Sequence, residues 1–181
     1  MRAFVALPLP DAVCETLALW CDDLGVGRAV PEDNMHLTLA FLDEVALPTL
    51  QVLNEGLEAL VFDPFPLRLA GIDLMGARGS QVLAIRGQGG VALSGLQSKV
   101  AQAARMAGID LPRRRFRPHV TLVRLGPRLA MQDEARLGRF LAAFADAALD
   151  PFEVSRLALY RSHLTRDGAE YEVLADYPAA P

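Results

Sequence analysis

Apolar residues recur along this chain with two periods, one typical of helices and the other of strands. The leucines between positions 50 and 60 follow the spacing of one helix face, and the pattern predicts a helix over 47–60. The run 2–9 is short and largely apolar, which is typical of a buried strand. The same criteria predict further helices over 11–22, 91–107 and 131–148, and strands over 36–42, 66–74, 81–86, 116–125, 152–162 and 169–174.

Cap and turn residues mark the ends of several elements. Asp11 has a side chain suited to a helix N-cap, and Gly108 is predicted as the C′ residue that follows the helix over 91–107. Asp167 and Gly168 predict a hairpin turn between the last two strands. Along the first helix, the apolar stripe is formed by Leu17, Trp20, Cys21 and Leu24.

Several neighbouring strands are separated by segments of hairpin length, which favours an α+β fold with mainly antiparallel sheets over a doubly wound parallel sheet. No GxGxxG follows a predicted strand and no GxxxxGK[ST] occurs, which argues against a dinucleotide-binding fold and a P-loop. The chain has no low-complexity segment or obvious linker. We therefore expect one domain over 1–181.

One short motif occurs twice. His36-Leu37-Thr38-Leu39 and His119-Val120-Thr121-Leu122 lie 83 residues apart, each at the start of a predicted strand, and they use two of the three histidines. The repeat indicates two similar lobes in a pseudo-symmetric chain.

The motif places its polar side chains together, because residues i and i+2 of a strand share a face. His36 and Thr38 project from one face, as do His119 and Thr121, and adjacent motif strands would bring all four into one cleft. Near pH 7 one imidazole can be protonated and the other neutral, which supplies a general acid and a general base. Threonine hydroxyls can donate to phosphate oxygens. The set suits phosphoryl transfer from a diester without a metal.

A single copy of the motif would be compatible with a purely structural role. A buried, hydrogen-bonded core histidine is commoner than a catalytic one, and threonine is ordinary in strands. Two histidines could also ligate zinc, but catalytic zinc sites usually have three protein ligands, and no HExxH motif occurs. The presence of two matching copies is what favours catalysis.

These motifs, with 116–122 (FRPHVTL), 160–162 (YRS) and 168–171 (GAEY), resemble the two-histidine phosphoesterase superfamily, within it the RNA 2′,3′-cyclic phosphodiesterases, historically called 2′–5′ RNA ligases. The resemblance extends from Arg2 to about Tyr177. It implies a bilobal fold in which two antiparallel sheets line a central cleft, with helices outside.

The resemblance also implies roles for the motif residues. His36 would be the proton donor to the leaving ribose oxygen, and His119 the proton acceptor that activates water. Thr38 and Thr121 would hold the phosphate, and the product would be a 2′-phosphomonoester. The residues alone are symmetric and do not say which histidine is the acid.

Two further positions follow from the resemblance. Phe41 and Arg124 each lie five residues after a motif histidine, where relatives use an aromatic residue and an arginine to contact the nucleotide. In a regular strand an odd offset would turn both away from the histidines, and a bulge after the threonine would turn them back. Core packing is the alternative for Phe41.

Charge changes the picture only locally. Lys and Arg number 18 against 22 Asp and Glu, giving a net charge of −4, whereas a general nucleic-acid coating protein is normally basic. Yet Arg113, Arg114, Arg115 and Arg117 lie just before His119. They could steer RNA phosphates toward the cleft, or form an ordinary solvated loop.

The remaining features predict compartment and partners. Cys14 and Cys21 lie seven residues apart on a predicted helix, too far for a disulfide, and no apolar run is long enough for a signal peptide or membrane span. We expect a cytoplasmic monomer that needs no cofactor or metal and acts on RNA ends, with no membrane partner. His163 heads a third His-x-Thr, but it runs into the predicted turn, so we expect an exposed turn histidine.

Three alternative functions stay open. The substrate could be a small cyclic-phosphate nucleotide or ADP-ribose derivative, the reaction could be 2′–5′ ligation, or the protein could bind RNA ends without turnover. The absence of a nucleotide-binding loop motif argues against ATP-dependent ligation, and the presence of both histidines argues against a protein that only binds.

Overall fold

Helices and strands alternate in the order that the hydrophobic pattern predicts. A computed structural model describes residues 1–77, 80–112, 115–165 and 168–180. The helices are α1 (Asp11–Leu24), α2 (Leu47–Glu58), α3 (Gly90–Met106) and α4 (Met131–Phe144). The strands are β1 (Arg2–Pro8), β2 (Arg28–Ala29), β3 (His36–Glu44), β4 (Phe65–Met75), β5 (Val82–Gln88), β6 (His119–Arg124), β7 (Phe152–Val154), β8 (Arg156–Thr165) and β9 (Gly168–Pro178). A short 3₁₀ turn, Glu32–Asn34, precedes β3.

The strands pair in the order β7-β4-β5-β6-β3-β1-β8-β9, with the short β2 beside β6. Every strand pair among the described residues is antiparallel. The expected α+β class is therefore confirmed. Apart from β2, four strands lie on each side of the junction between β3 and β6, where Leu37 pairs with Val120. The two predicted sheets thus meet edge to edge at the two motif strands.

Apolar side chains fill the space between the helices and one face of the strands. Leu37 and Val120 are fully buried, and they belong to the same core as Leu17 of α1, Leu53 of α2 and Leu96 of α3. Because strand residues alternate, their motif neighbours project from the opposite, uncovered face. The hydrophobic contacts that fold the chain therefore also set the direction of the histidines.

Some predicted boundaries are wrong. Asp11 is the first residue of α1, Pro10 is its cap, and no side chain caps the helix, so the acidic group lies in the first turn instead. The single strand expected over 152–162 is two strands, because β7 pairs with β4 whereas β8 pairs with β1 and β9. Trp20 is only half-buried and packs against the Phe144 ring at 5.2 Å.

Two local predictions are confirmed. Gly108 follows α3 with a φ of 83°, a conformation that favours glycine. Cys14 and Cys21 are buried and not bonded to each other. Asp167, one half of the expected hairpin turn, lies outside the described residues.

The junction strand gives a test of the fold. Leu37→Ala should lower the free energy of unfolding by about 2–5 kcal/mol, because the lost leucine side chain leaves a cavity where the two halves of the sheet meet. Leu47→Ala is the matched control, since Leu47 is 58% exposed. Denaturant unfolding should show a much larger loss of unfolding free energy for Leu37→Ala than for Leu47→Ala. Equal, small losses in the two variants would contradict the importance of the junction.

Candidate active site

The two motifs line one cavity of about 150 Å³. Leu37 and Val120, which pair across the β3–β6 junction, are the middle residues of the two His-x-Thr motifs. Because the strands are antiparallel, His36 of one lies beside Thr121 of the other, and Thr38 beside His119. The described residues that line the cavity are Phe4, Val30, Asn34, His36, Thr38, Phe41, His119, Thr121, Arg124 and Tyr171.

The two imidazole rings are held by matching hydrogen bonds. Nδ1 of His36 donates to the carbonyl oxygen of Asn34 at 2.8 Å, and Nδ1 of His119 donates to that of Arg117 at 2.8 Å. A carbonyl can only accept, so each Nδ1 carries a proton. Nε2 of each ring is therefore the nitrogen left for a ligand or a transferred proton.

The surroundings of the two histidines differ. His36 stacks on Phe4 with ring centroids 4.6 Å apart, and its ring centroid lies 5.2 Å from that of Tyr171 in an edge contact. The pKa of His36 is lowered from its ordinary 6.5 to about 4, chiefly by burial and in smaller part by the charges of Arg124 and His119, while the hydrogen bond to Asn34 acts in the opposite direction. His36 is thus neutral near pH 7 in the free protein.

Both motif strands carry a bulge at the same position. Along β1, Val5 pairs with Ala40 and Ala6 with Thr38, so Leu39 is the extra residue. Along β5, Leu83 pairs with Val123 and Ala84 with Thr121, so Leu122 is the extra residue. Both bulged leucines are buried together with the residue that follows. Both motif strands therefore contain the bulge that is needed to turn Phe41 and Arg124 back to the face of the histidines.

The bulges return Phe41 and Arg124 to the face of the histidines, and both line the cavity. Phe41 is 44% exposed, so it is not a packed core residue. Its ring lies 6.4 Å from that of Phe4, and the guanidinium of Arg2 is 5.2 Å from its centroid. An exposed aromatic face and an arginine thus border the polar centre.

Known proteins resemble this chain in sequence and in fold. A family model described as the 2′-5′ RNA ligase superfamily matches residues 10–166. The chain belongs to this superfamily. It is 30% identical over 182 residues to an RNA 2′,3′-cyclic phosphodiesterase of Geobacillus stearothermophilus, covering 97% of this chain and 56% of the relative, so it spans little more than half that protein's length.

Two further relatives match more of their own length. An RNA 2′,3′-cyclic phosphodiesterase of Aeropyrum pernix is 29% identical over 155 residues, covering 84% of this chain and 86% of the relative. The structure of E. coli LigT complexed with 3′-AMP is 25% identical with a TM-score of 0.76, covering 99% of this chain and 98% of that one. The likeness to LigT thus extends over nearly the whole fold.

The sequence motifs do not reveal every residue that lines the cavity of this superfamily member. Phe4, Val30, Asn34 and Tyr171 line it without belonging to the predicted site. Phe4 shares a face with the motif only through the β1–β3 register, where it pairs with Phe41. Asn34 could have been found from its place two residues before His36, since Arg117 occupies the same place before His119.

The expectation of a turn histidine at 163 is wrong. His163 lies in β8, is partly exposed, and forms a hydrogen bond between its Nε2 and Oε2 of Glu172 at 2.9 Å. It pairs with Glu170 of β9, on the strand farther from the motif strands. The strand extends further toward the turn than the Asp167-Gly168 signal suggested.

The arginine cluster can be followed only in part. Arg113 and Arg114 lie outside the described residues, whereas Arg115 and Arg117 are exposed. The backbone of Arg117 positions His119 through its carbonyl oxygen. Steering of RNA by these side chains stays a prediction.

The described residues offer little for metal or thiol chemistry. Within 1–77, 80–112, 115–165 and 168–180, no group of three or more His, Cys, Asp and Glu could hold a metal ion. Burial raises the pKa of the Cys14 and Cys21 thiols to about 11 each, which suits packing rather than nucleophilic attack. No helix of the described chain is long and apolar enough to cross a membrane.

The pKa of His36 predicts how stability depends on pH. Because it is about 4 in the folded chain, the unfolded chain binds more protons between pH 4 and its ordinary pKa of 6.5. The free energy of unfolding should therefore fall as the pH drops through this window, by up to about 3 kcal/mol at about 1.36 kcal/mol per pKa unit.

His36→Gln should remove this part of the pH dependence, because glutamine does not titrate. Thr38→Val, a neighbouring position without a titrating group, is the matched control and should keep the wild-type slope. Denaturant unfolding between about pH 4 and pH 6.5 measures how the unfolding free energy of each variant depends on pH. Parallel curves for His36→Gln and the wild type would show that His36 is not buried in its neutral form.

Proposed function

We propose that this chain is an RNA 2′,3′-cyclic phosphodiesterase that opens 2′,3′-cyclic phosphate ends to 2′-phosphomonoesters. The observation that carries the proposal is the pair of imidazoles in one cavity, each with Nδ1 bonded to a carbonyl and Nε2 left over. The names of the relatives, RNA 2′,3′-cyclic phosphodiesterase, support the same substrate class.

In the proposed reaction, water attacks phosphorus and the bond between phosphorus and the 3′ oxygen breaks. His119 accepts the proton of the attacking water at Nε2. His36 donates the proton on its Nε2 to the leaving 3′ oxygen, so protons and electrons balance. The hydroxyls of Thr38 and Thr121 donate to the non-bridging oxygens, and the positive charge of Arg124 lies at the same cavity.

For His36 to act as the acid, binding of the substrate must raise the pKa of His36 so that its ring becomes protonated. In the free protein, burial and the neighbouring cations hold its pKa near 4. A bound phosphate anion counteracts both positive charges and accepts a hydrogen bond from the protonated ring. The substrate therefore supplies the charge that turns His36 into an acid, and the aromatic enclosure keeps water from screening that effect.

The second histidine then has a different task. His119 lies at the less enclosed side of the cavity, where its hydrogen bond to Arg117 is exposed. A base must deprotonate water and release the proton to solvent after each turnover. The more open position suits that exchange.

The activity predicts the behaviour of two variants. His36→Ala and His119→Ala should each lower kcat by about 10²–10⁴-fold, because each removes one proton-transfer group. Binding of the 2′-phosphate product should largely survive, since the threonines and Arg124 remain. The assay follows an RNA with a 2′,3′-cyclic phosphate end and identifies a 2′- or 3′-phosphate product.

Several outcomes distinguish the alternatives. Full activity in either variant, or a 3′-phosphate product, would contradict the mechanism. Higher kcat/KM on a cyclic mononucleotide than on RNA would favour a small-molecule substrate. Loss of activity in EDTA, restored by a divalent metal, would contradict the metal-independent step.

The substrate-linked acid predicts a shift of the His36 pKa. Addition of inorganic phosphate should raise the NMR titration midpoint of His36 from near 4, because the anion stabilises the protonated ring. His36→Gln identifies the resonance. Phosphate that binds and leaves the midpoint unchanged would argue that His36 is not the acid.

A further inference from the structure

The hairpin of β8 and β9 reaches the site from the far edge of the sheet. In the strand order β9 lies three places from β3, and neighbouring strands lie about 4.7–4.9 Å apart, so a flat sheet would separate the two by about 14 Å. Side chains stand roughly perpendicular to a sheet, yet the ring centroids of Tyr171 on β9 and His36 on β3 are 5.2 Å apart. The sheet therefore curls at this end and brings the hairpin over the cavity.

One side chain joins this hairpin to the centre of the sheet. Nδ2 of Asn34 donates to the carbonyl oxygen of Ala169 at 2.8 Å, across 135 residues of sequence. Ala169 lies two residues before Tyr171 on the same strand. Because β9 is the last strand in the order, one of its edges has no strand neighbour among the described residues. The Asn34–Ala169 bond thus holds the start of a strand that pairs with β8 alone in the described chain.

The turn that carries Asn34 does not depend on this side chain. The N–H of Asn34 donates to the carbonyl oxygen of Pro31, and the N–H of Met35 donates to that of Glu32, each at 2.9 Å. Met35 is buried in the hydrophobic core. The backbone and Met35 therefore fix the turn, and the Asn34 amide serves the distant strand instead.

The second motif shows what the Asn34 side chain adds. Arg117 lies two residues before His119, as Asn34 does before His36, and both backbone carbonyls accept from Nδ1 of the histidine that follows. The Arg117 side chain is exposed and makes no hydrogen bond or ion pair with the described residues. Every residue has a carbonyl, so holding the ring does not require asparagine. The amide bond to β9 belongs only to the motif whose histidine is enclosed by aromatic rings.

We propose that Asn34 is a positioning residue whose amide holds the β8–β9 hairpin over the cavity and thereby keeps the Tyr171 ring against His36. The inference rests on the proposed function only in treating His36 as the acid. Phe4 stacks on the imidazole at 4.6 Å and Tyr171 contacts it edge-on, so the two rings cover it from different directions. An imidazole enclosed in this way responds to the charge of a bound phosphate with little screening by water.

The titration of His36 in the free protein tests the proposal, because an imidazole that water reaches is protonated more easily. In Asn34→Ala the NMR titration midpoint of His36 should rise from near 4 toward the ordinary 6.5. Hydrogen exchange of the β9 amides should become faster. At neutral pH the nitrogen chemical shifts of the ring should still show the proton on Nδ1, since the carbonyl of residue 34 remains.

The variant changes no charge near His36. The titratable or charged side chains that face His36 lie on β6, β8 and β9, namely His119, Arg124, Tyr160 and Tyr171. A higher midpoint in Asn34→Ala would therefore reflect exposure of the ring. Arg117→Ala is the matched control, because it truncates the corresponding side chain of the other motif, and it should leave the His36 midpoint near 4.

A double variant shows whether Asn34 acts through Tyr171. Tyr171→Ala should also raise the His36 midpoint, and Asn34→Ala combined with Tyr171→Ala should raise it no further than the larger of the two separate shifts. Tyr171→Phe keeps the ring and should stay near the wild-type midpoint. Additive shifts would mean that Asn34 acts on His36 by another route and would overturn the proposal.

The remaining outcomes are also decisive. An unchanged midpoint in Asn34→Ala, an equal rise in Arg117→Ala, or loss of the proton on Nδ1 would each overturn the proposal. Unfolding of Asn34→Ala would do the same, because Asn34 would then be a residue of global stability. The measurements use the free protein and do not depend on turnover. A coupled rise in a protein that hydrolyses no cyclic phosphate would contradict the proposed function and support the positioning role of Asn34.

Discussion

The pairing of Leu37 with Val120 is the contact on which the rest of the site depends. It joins the two halves of the strand order, and its two residues are the centres of the two motifs. An antiparallel contact at this position can be made only if His36 lies near Thr121 and Thr38 near His119. Burial of two apolar side chains therefore assembles four polar groups that are distant in sequence.

The bulges show where sequence periodicity stops being sufficient. Alternation predicts the motif strands and the shared face of each His-x-Thr, and the structure confirms both. It cannot predict the extra residue at Leu39 or Leu122, because a bulge is defined against the partner strand. The sequence positions of Phe41 and Arg124 indicate that a bulge is needed. Only the pairing with the neighbouring strand shows which residue forms it.

Near-identical motifs acquire different environments from distant parts of the chain. Phe4 comes from β1 and Tyr171 from β9, and both rings contact His36. The sequence around each motif contains no such difference, which is why the residues alone left the acid and the base unassigned. Tertiary packing breaks the symmetry, and the lowered pKa of His36 is its chemical consequence.

The net charge of −4 conceals a local cationic surface built by the same strand pairing. Because β2 aligns with β6, Arg28 pairs with Arg124, so two arginines distant in sequence occupy facing strand positions. The charge of Arg124 also disfavours protonation of His36 until a phosphate arrives. In the proposed reaction, anion binding and activation of His36 as the acid would therefore be one electrostatic event.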